Sequence, residues 1–361
     1  MASHDGLVHY PPAPGALHFG ETLIRYLNNH CRQRTLYVHL ETRPNSSPHI
    51  GNLVTFATGF ALAAALKHSC SRNVRVRIIY QDPGPDHHEL LTIDGVKYQK
   101  GLTGPGDSGL NQTPFRRVIR RLAEFFDVSY DTCSPNFWQH NPEFTDALME
   151  CVKYRRFIGT HLSPTTGKLA IRVACPECGL VDKDGVKNGY HPDGRISCDC
   201  PQHGMFYINP AVNADVERME LGPPLRHLIR AIICSRDKQA SWIMCTGADH
   251  AGLYHEELVW RLLDEPEDAP IFFYAPLVVD WSGARLSKTK RVRDGAYQYL
   301  CETRREYMVD ADMFLRYPGG LEALCREVRG WIDQPYRLFR NYSVEYLERQ
   351  LRLRGMLHAV H

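Results

Sequence analysis

Little in this sequence is extreme, and each missing feature removes a class of protein. It lacks an excess of one charge. Lys and Arg number 43 against 41 Asp and Glu, so a formal net charge of +2 neither demands nor forbids a polyanionic partner. It also lacks a long apolar run. The stretch of lowest polarity, Thr55 to Leu66, is too short and too rich in Ala and Gly to cross a bilayer, which takes about 20 residues. The opening MASHDGLVHY is polar, and no apolar core follows a basic stretch as in a secretory leader. These absences lead us to expect no membrane association and a cytoplasmic location. There is no internal repeat and no low-complexity tract. The 12 cysteines are too scattered over 361 residues for a disulfide scaffold. In a reducing compartment most would be small buried hydrophobes. Cys31, Cys70 and Cys151 are read that way, and no Cys/His pair for nucleophilic catalysis is visible.

What is present is an ordinary globular balance, 43% hydrophobic and 23% charged, in a chain long enough for one large or two modest domains. Residues 35–42, TLYVHLET, are β-branched and aromatic and read as a buried strand. A polar loop follows, and then a proline-free apolar helix from His49 to Lys67. Residues 74–80 read as a second strand, stopped by Gln81-Asp82-Pro83-Gly84. Residues 83–112 are rich in glycine, proline and acids and read as a long loop. Helices are expected over Pro114–Phe126, Pro142–Phe157, Leu225–Cys234 and Gly252–Leu263. Strands are expected over Ser241–Thr246 and within 271–279. From about residue 301 the chain reads as helical and polar. Strand–helix alternation of this kind predicts an α/β fold with a parallel sheet, and such sheets bind ligands beyond the carboxyl ends of their strands.

Three motifs fall just after expected strands. Ser46-Ser47-Pro48-His49-Ile50-Gly51-Asn52 opens a helix, where backbone N–H groups favour an anion. Gly51 permits close approach to the backbone, and His49 and Asn52 can donate to phosphate oxygens. The bland alternative is a helix cap with a buried histidine. Gly247-Ala248-Asp249-His250 follows SWIMCT, placing a small residue, a carboxylate and an imidazole where a ribose or base could sit. Arg285-Leu286-Ser287-Lys288-Thr289-Lys290 is a short basic, hydroxyl-bearing segment able to clamp a triphosphate. Taken singly, each is also compatible with an ordinary turn or surface loop.

Together, and in this order, the motifs resemble those of the class I aminoacyl-tRNA synthetases. His49-Ile50-Gly51-Asn52 looks like their HIGH signature and Arg285-Leu286-Ser287-Lys288-Thr289 like their KMSKS signature, about 235 residues apart with Gly247-Ala248-Asp249-His250 between. The nearest likeness is to the class I lysyl-tRNA synthetases, and it covers the order of motifs over residues 35–300 rather than continuous similarity. The resemblance implies a Rossmann-like (HUP-type) parallel sheet, ATP with magnesium as cofactor, and an activated amino acid as the species handled. It implies that His49, Asn52 and Lys288 are catalytic. Pro48, Gly51, Gly247, Asp249, His250, Arg285, Ser287 and Thr289 would bind nucleotide. Arg285 stands where the family usually has lysine, and a planar guanidinium is not a point ammonium. Arginine or lysine is the amino acid the resemblance favours. Glu41 and Asp82, at strand ends, are candidates to hold a cationic side chain, although such acids more often cap turns.

A fourth motif points to metal. Cys175-Pro176-Glu177-Cys178 and Cys200-Pro201-Gln202-His203 give C-x2-C-x21-C-x2-H, four ligands suited to one tetrahedral structural zinc. Cys198 could substitute for Cys200 or His203. Similar zinc inserts occur in the resembling family. The expected organisation is a first half of the catalytic domain over 1–170, a zinc-knuckle insertion over 171–209, a second half over 210–300 and a short helical C-terminal region over 301–361. Arg116, Arg117, Arg120 and Arg121, with the arginines of the last 40 residues, form either a solvated face or a phosphate-tracking one. The leading functional expectation is aminoacyl adenylate formation, with transfer to tRNA or a small acceptor. The alternative is an enzyme that consumes aminoacyl-tRNA to make peptide bonds, as cyclodipeptide synthases do, including arginine-containing ones of fungi. A silent tRNA-binding module is the third reading.

Overall fold

The computed structural model describes residues 23–42, 47–81, 86–100, 112–251, 269–287 and 297–356. Its centre is a sheet of five strands, β1 (Thr35–Thr42), β2 (Asn73–Tyr80), β3 (Tyr130–Cys133), β4 (Ala240–Gly247) and β5 (Ile271–Ala275). Every neighbouring pair is parallel and the spatial order is β5-β4-β1-β2-β3. The chain thus builds outward from β1 on one side and later returns to build outward on the other. The reversal lies between β1 and β4, where Thr35 faces Ala240 and His39 faces Met244. Open sheets of this type bind ligands at that reversal, beyond the carboxyl ends. β3 is a strand that the sequence pattern did not disclose.

Alternation along β1 sends Leu36, Val38 and Leu40 to one face, all fully buried. Helix α1 (Leu23–His30) precedes β1 and helix α2 (Ile50–Ser69) follows it. Helix α2 is longer than the apolar stretch that marks it, and long and apolar enough by itself to span a bilayer, yet most of it is buried inside the protein. Phe56, Phe60, Leu62 and Leu66 face several directions and all are inaccessible. Burial of one such side chain is worth roughly 1.5–3 kcal/mol, so α2 is held chiefly by packing. It needs cover on the side away from the sheet. Helix α3 (Gln112–Phe126) and the C-terminal helices α7 (Gly320–Asp333) and α8 (Val344–Leu353) belong to that same core.

The C-terminal region is fastened by buried carboxylates. Glu327 is inaccessible, accepts from Trp331 Nε1 at 2.9 Å and pairs with Arg337 and Arg354. Glu348 pairs with Arg305 at 2.6 Å and Arg352 at 3.0 Å. Tyr342–Ser343 pairs in parallel with Val278–Val279, tying the region to the segment after β5. The α3 arginines join the same framework: Arg117 meets Asp312 at 3.0 Å and Arg121 meets Glu322 at 2.6 Å. These two guanidiniums are engaged with acids at the surface.

Residues 83–112 are not one loop. Asp86–Ile93 and Val96–Lys100 form an antiparallel hairpin whose turn, Asp94-Gly95, has φ of 49° and 77°, the left-handed pair of a type I′ turn. Its second strand pairs with Leu180–Asp182, so it adds to the Cys-rich module. That module leaves and re-enters through Ile171–Val173 paired with Met219–Leu221. The region read as one helix from Pro142 is two, α4 (Phe144–Lys153) and α5 (Arg155–Leu162), broken at Tyr154. Helix α6 (Pro223–Arg236) leads into β4. The helix expected over Gly252–Leu263 lies outside the described residues.

Candidate functional site

The site is built where β1 and β4 end. His49 is the N-cap of α2, in extended backbone. Its Nδ1 accepts from Gly51 N at 3.1 Å, and Asn52 Oδ1 accepts from His49 N at 3.2 Å. This is a reciprocal capping box, with histidine and asparagine in place of the usual hydroxyl and carboxylate. The cap reading and the ligand reading are compatible. A neutral imidazole that accepts at Nδ1 carries its proton on Nε2, and an amide that accepts through oxygen keeps an NH2 donor. The box therefore presents donor hydrogens at the positive end of a 20-residue helix. A Cβ on Gly51 would lie 2.9 Å from the His49 ring, so glycine is required for the cap as built. Pro48 is buried beside it. Ser47 Oγ accepts from Ala311 N at 3.2 Å, linking the signature loop to the C-terminal region.

β4 ends at Gly247, and Ala248–His250 form a single 3-10 turn. Gly247 leaves room for Asp249 to fold back, since a Cβ there would meet Asp249 Oδ1 at 2.5 Å. Asp249 forms an ion pair with Arg285, which is carried by a tight reversal in which Val279 and Arg285 form an antiparallel bridge. The pair brings the second and third motifs into contact. His250 Nδ1 lies 2.9 Å from Thr246 Oγ1. Burial pushes the His250 pKa down, reinforced by Arg226 and opposed by the Gly247 backbone and Glu41. Ser287 N donates to the Tyr297 hydroxyl at 2.9 Å, anchoring the end of that segment. Lys288, Thr289 and Asp82 lie outside the described residues.

Glu41, near the end of β1, is in a dense polar knot that sequence reasoning missed. Arg230 of α6 pairs with its Oε1, His39 Nε2 lies 3.0 Å from the same oxygen, and Gln81 donates to Oε2. Burial alone would raise the Glu41 pKa; the Arg230 guanidinium and the His39 hydrogen bond outweigh it and hold the carboxyl well below its usual range. His39 is pushed the other way by burial and stays neutral near pH 7. Helix α6 also brings His227 beside His250, with ring centroids 6.2 Å apart. The only advance signal was Arg226, His227 and Arg230, polar residues at helical spacing on a segment otherwise apolar.

The Cys-rich module gathers Cys175, Cys178, Cys200 and His203, with one ligand atom from each, all within 4.8 Å of one another. Cys178 Sγ and Cys200 Sγ are 3.5 Å apart, and His203 Nδ1 lies 3.6 Å from Cys175 Sγ and 3.7 Å from Cys200 Sγ. A tetrahedron with Zn–S near 2.3 Å has S–S edges of about 3.8 Å and slightly shorter S–N edges, so the four fit one tetrahedral ion. Cys198 is not among them. It is buried in the hydrophobic core, and burial pushes its thiol up to about 12.

No protein-family profile matches this chain, and no curated protein sequence matches it. Among solved structures it is similar to a glutamate tRNA ligase from Elizabethkingia meningosepticum in complex with its amino acid, at 13% identity and a TM-score of 0.29, covering 72% of this chain and 53% of that one. It is similar to a structure described as an arginyl-tRNA synthetase from Campylobacter jejuni, at 10% identity and a TM-score of 0.31, covering 92% and 88%. A glutamate-tRNA synthetase from Elizabethkingia anophelis gives 13% identity and a TM-score of 0.29, covering 72% and 54%. The chain spans about half the length of the two glutamate enzymes. Likeness this distant carries no argument about activity, which rests on the site itself.

Proposed function

We propose that this chain is a class I synthetase-like enzyme that binds ATP with magnesium at the β1/β4 reversal and activates an amino acid. The observation that carries the reading is the placement of the motifs: the His49–Asn52 box opens the helix that follows β1, the Gly247–His250 turn ends the adjacent parallel strand β4, and Arg285 reaches Asp249. In this reading the amino-acid carboxylate attacks the α-phosphorus, the bond to the bridging oxygen breaks, and pyrophosphate leaves. His49 Nε2–H and the Asn52 amide donate to phosphate oxygens. Asp249 accepts from ribose, and His250, kept neutral, lines the nucleoside. Lys288, with Ser287 and Thr289, neutralises the leaving pyrophosphate. Glu41 sits where an amino acid would enter, with both oxygens already engaged, so a cationic side chain such as that of arginine or lysine would share it with Arg230. Cys175, Cys178, Cys200 and His203 hold one zinc; with four protein ligands that site is closed and structural. Binding of magnesium-ATP, measured by calorimetry on the wild type and on His49→Ala, tests the nucleotide half of the reading; equal affinity in the two proteins would overturn it.

The second reading is an enzyme that takes ready-made aminoacyl-tRNA, as a cyclodipeptide synthase does. Incubation with aminoacyl-tRNA and mass analysis for a cyclic dipeptide tests it.

A further inference from the structure

Helix α6 is largely apolar, and Leu225, Leu228, Ile229, Ile232 and Ile233 are buried in the core. One line of side chains differs. Arg226 and His227 lie four and three positions before Arg230, hence on its helix face. That face is not a solvated one, since Arg230 is 3% exposed and Arg226 and His227 are half-buried. The start of the helix is fixed. Gly222 N donates to the Ala170 carbonyl at 2.8 Å, and a Cβ on Gly222 would lie 2.7 Å from that of Ala170. Pro223 and Pro224 then set the backbone of the first turn. The polar side chains are thereby delivered to the ends of β1 and β4. Arg230 reaches Glu41, and the His227 ring centroid lies 6.2 Å from that of His250. His250 is itself held at 2.9 Å by Thr246 Oγ1. His227 is also near enough to act on Glu41: against the raising effect of burial, that carboxyl is held down by Arg230, by His39 and then by His227. His227 thus stands beside both Glu41 and His250.

We propose that His227 is a further catalytic residue, which donates an N–H to the α-phosphate of ATP as the amino-acid carboxylate attacks it. The proposal rests on the adenylate reading and adds a contact that reading leaves open. There Glu41 and Arg230 meet the amino-acid side chain, Asp249 and His250 meet the nucleoside, and Lys288 meets the pyrophosphate. The α-phosphate is the group that lies between nucleoside and amino acid, and His227 stands beside a residue assigned to each. The step needs a donor at that point. Carboxylate and phosphate are both anions, and charge gathers on the α-phosphate oxygens as the new O–P bond forms. A donor already fixed by its helix is worth most at that moment. The bond to the bridging oxygen breaks, and its electron pair leaves with pyrophosphate. No proton is transferred, so the imidazole acts as a hydrogen-bond donor and not as an acid or a base.

The test is ATP–pyrophosphate exchange by full-length zinc-loaded protein over the twenty amino acids, for the wild type, His227→Ala and His227→Gln. Calorimetric binding of magnesium-ATP, zinc content and melting temperature are measured on the same samples. His227→Ala should lower kcat on the order of a hundredfold, the usual cost of losing one donor to the transition state. KM for ATP and for the amino acid, ATP affinity, zinc content and melting temperature should stay near wild-type values. A loss confined to kcat marks an interaction made only in the transition state. His227→Gln keeps an N–H donor and fills the same space, so it should recover part of the rate; it also serves where the alanine variant folds poorly. Wild-type kcat in His227→Ala, or a raised KM with kcat unchanged, would overturn the proposal and leave the adenylate reading in place. So would a fall in melting temperature in both variants that accounts for the lost rate, which would make His227 a packing residue. A wild-type protein that binds magnesium-ATP yet exchanges with no amino acid would overturn the adenylate reading, and the role of His227 with it.

Discussion

Arg285 and Asp249, 36 positions apart in the chain, form an ion pair that joins the basic signature segment to the turn after β4. Arg285 is more than half exposed, so the pair contributes less than about 1 kcal/mol to stability. Its value is positional: it holds the carboxylate and the basic segment at one place beside the strand ends. Arg285→Ala should leave the melting temperature nearly unchanged while weakening ATP binding by about tenfold, a cost near 1.4 kcal/mol. Arg285→Lys should recover part of the affinity. A variant that melts far below the wild type would show the pair to be structural instead.

The Glu41–Arg230 pair behaves in the opposite sense, Arg230 being buried and Glu41 largely shielded, 15% exposed. Glu41→Gln leaves a buried guanidinium without its charge partner, for which about 3–5 kcal/mol is expected. The folded-state pKa of Glu41 lies well below its ordinary 4.5, so its contribution is complete above that ordinary value and disappears as pH falls through the folded one. Denaturant melts from pH 7 downward should show the gap between wild type and Glu41→Gln holding to about pH 5 and closing below. A constant gap throughout would place the energy elsewhere.

Gly51→Ala puts a methyl group 2.9 Å from the His49 ring. The ring can swing away only by giving up its cap. Loss of about 1 kcal/mol is expected from the cap, along with a fall in ATP affinity to the level of His49→Ala. If Gly51→Ala bound ATP as the wild type does, the box would not be the phosphate ligand.

Zinc content separates the four ligands from their neighbour. Purified protein should carry about one zinc per chain by elemental analysis. Cys178→Ser and His203→Ala should lose most of it, with partial unfolding of the module that includes the 86–100 hairpin. Cys198→Ser should keep it, because Cys198 lies in the core and outside the cluster. Full zinc in Cys178→Ser, or none in the wild type, would defeat the assignment.

What could be read in the sequence, and what could not, divides by range. β1, α2, β4 and β5 announce themselves through local pattern, and the zinc ligands through spacing. The hairpin at 86–100 had a local signal as well, Asp94-Gly95 between apolar residues, obscured by the glycines and prolines on both sides of it. Its partner, Leu180–Asp182, lies 80 residues on and had none. The Glu41 knot depends on Arg230 arriving from a helix 189 residues later. No pattern along the chain could pair those two before the order of the sheet was known. The arginines of α3 likewise looked free until their acids were placed beside them by the fold.

The central claim is tested most directly by ATP–pyrophosphate exchange with zinc-loaded protein, run over the twenty amino acids with and without total tRNA. The account predicts exchange with one amino acid, arginine or lysine first, abolished in His49→Ala and Lys288→Ala. Silence with every amino acid under both conditions, from folded protein, would contradict adenylate formation and leave the consumption of aminoacyl-tRNA as the activity to pursue.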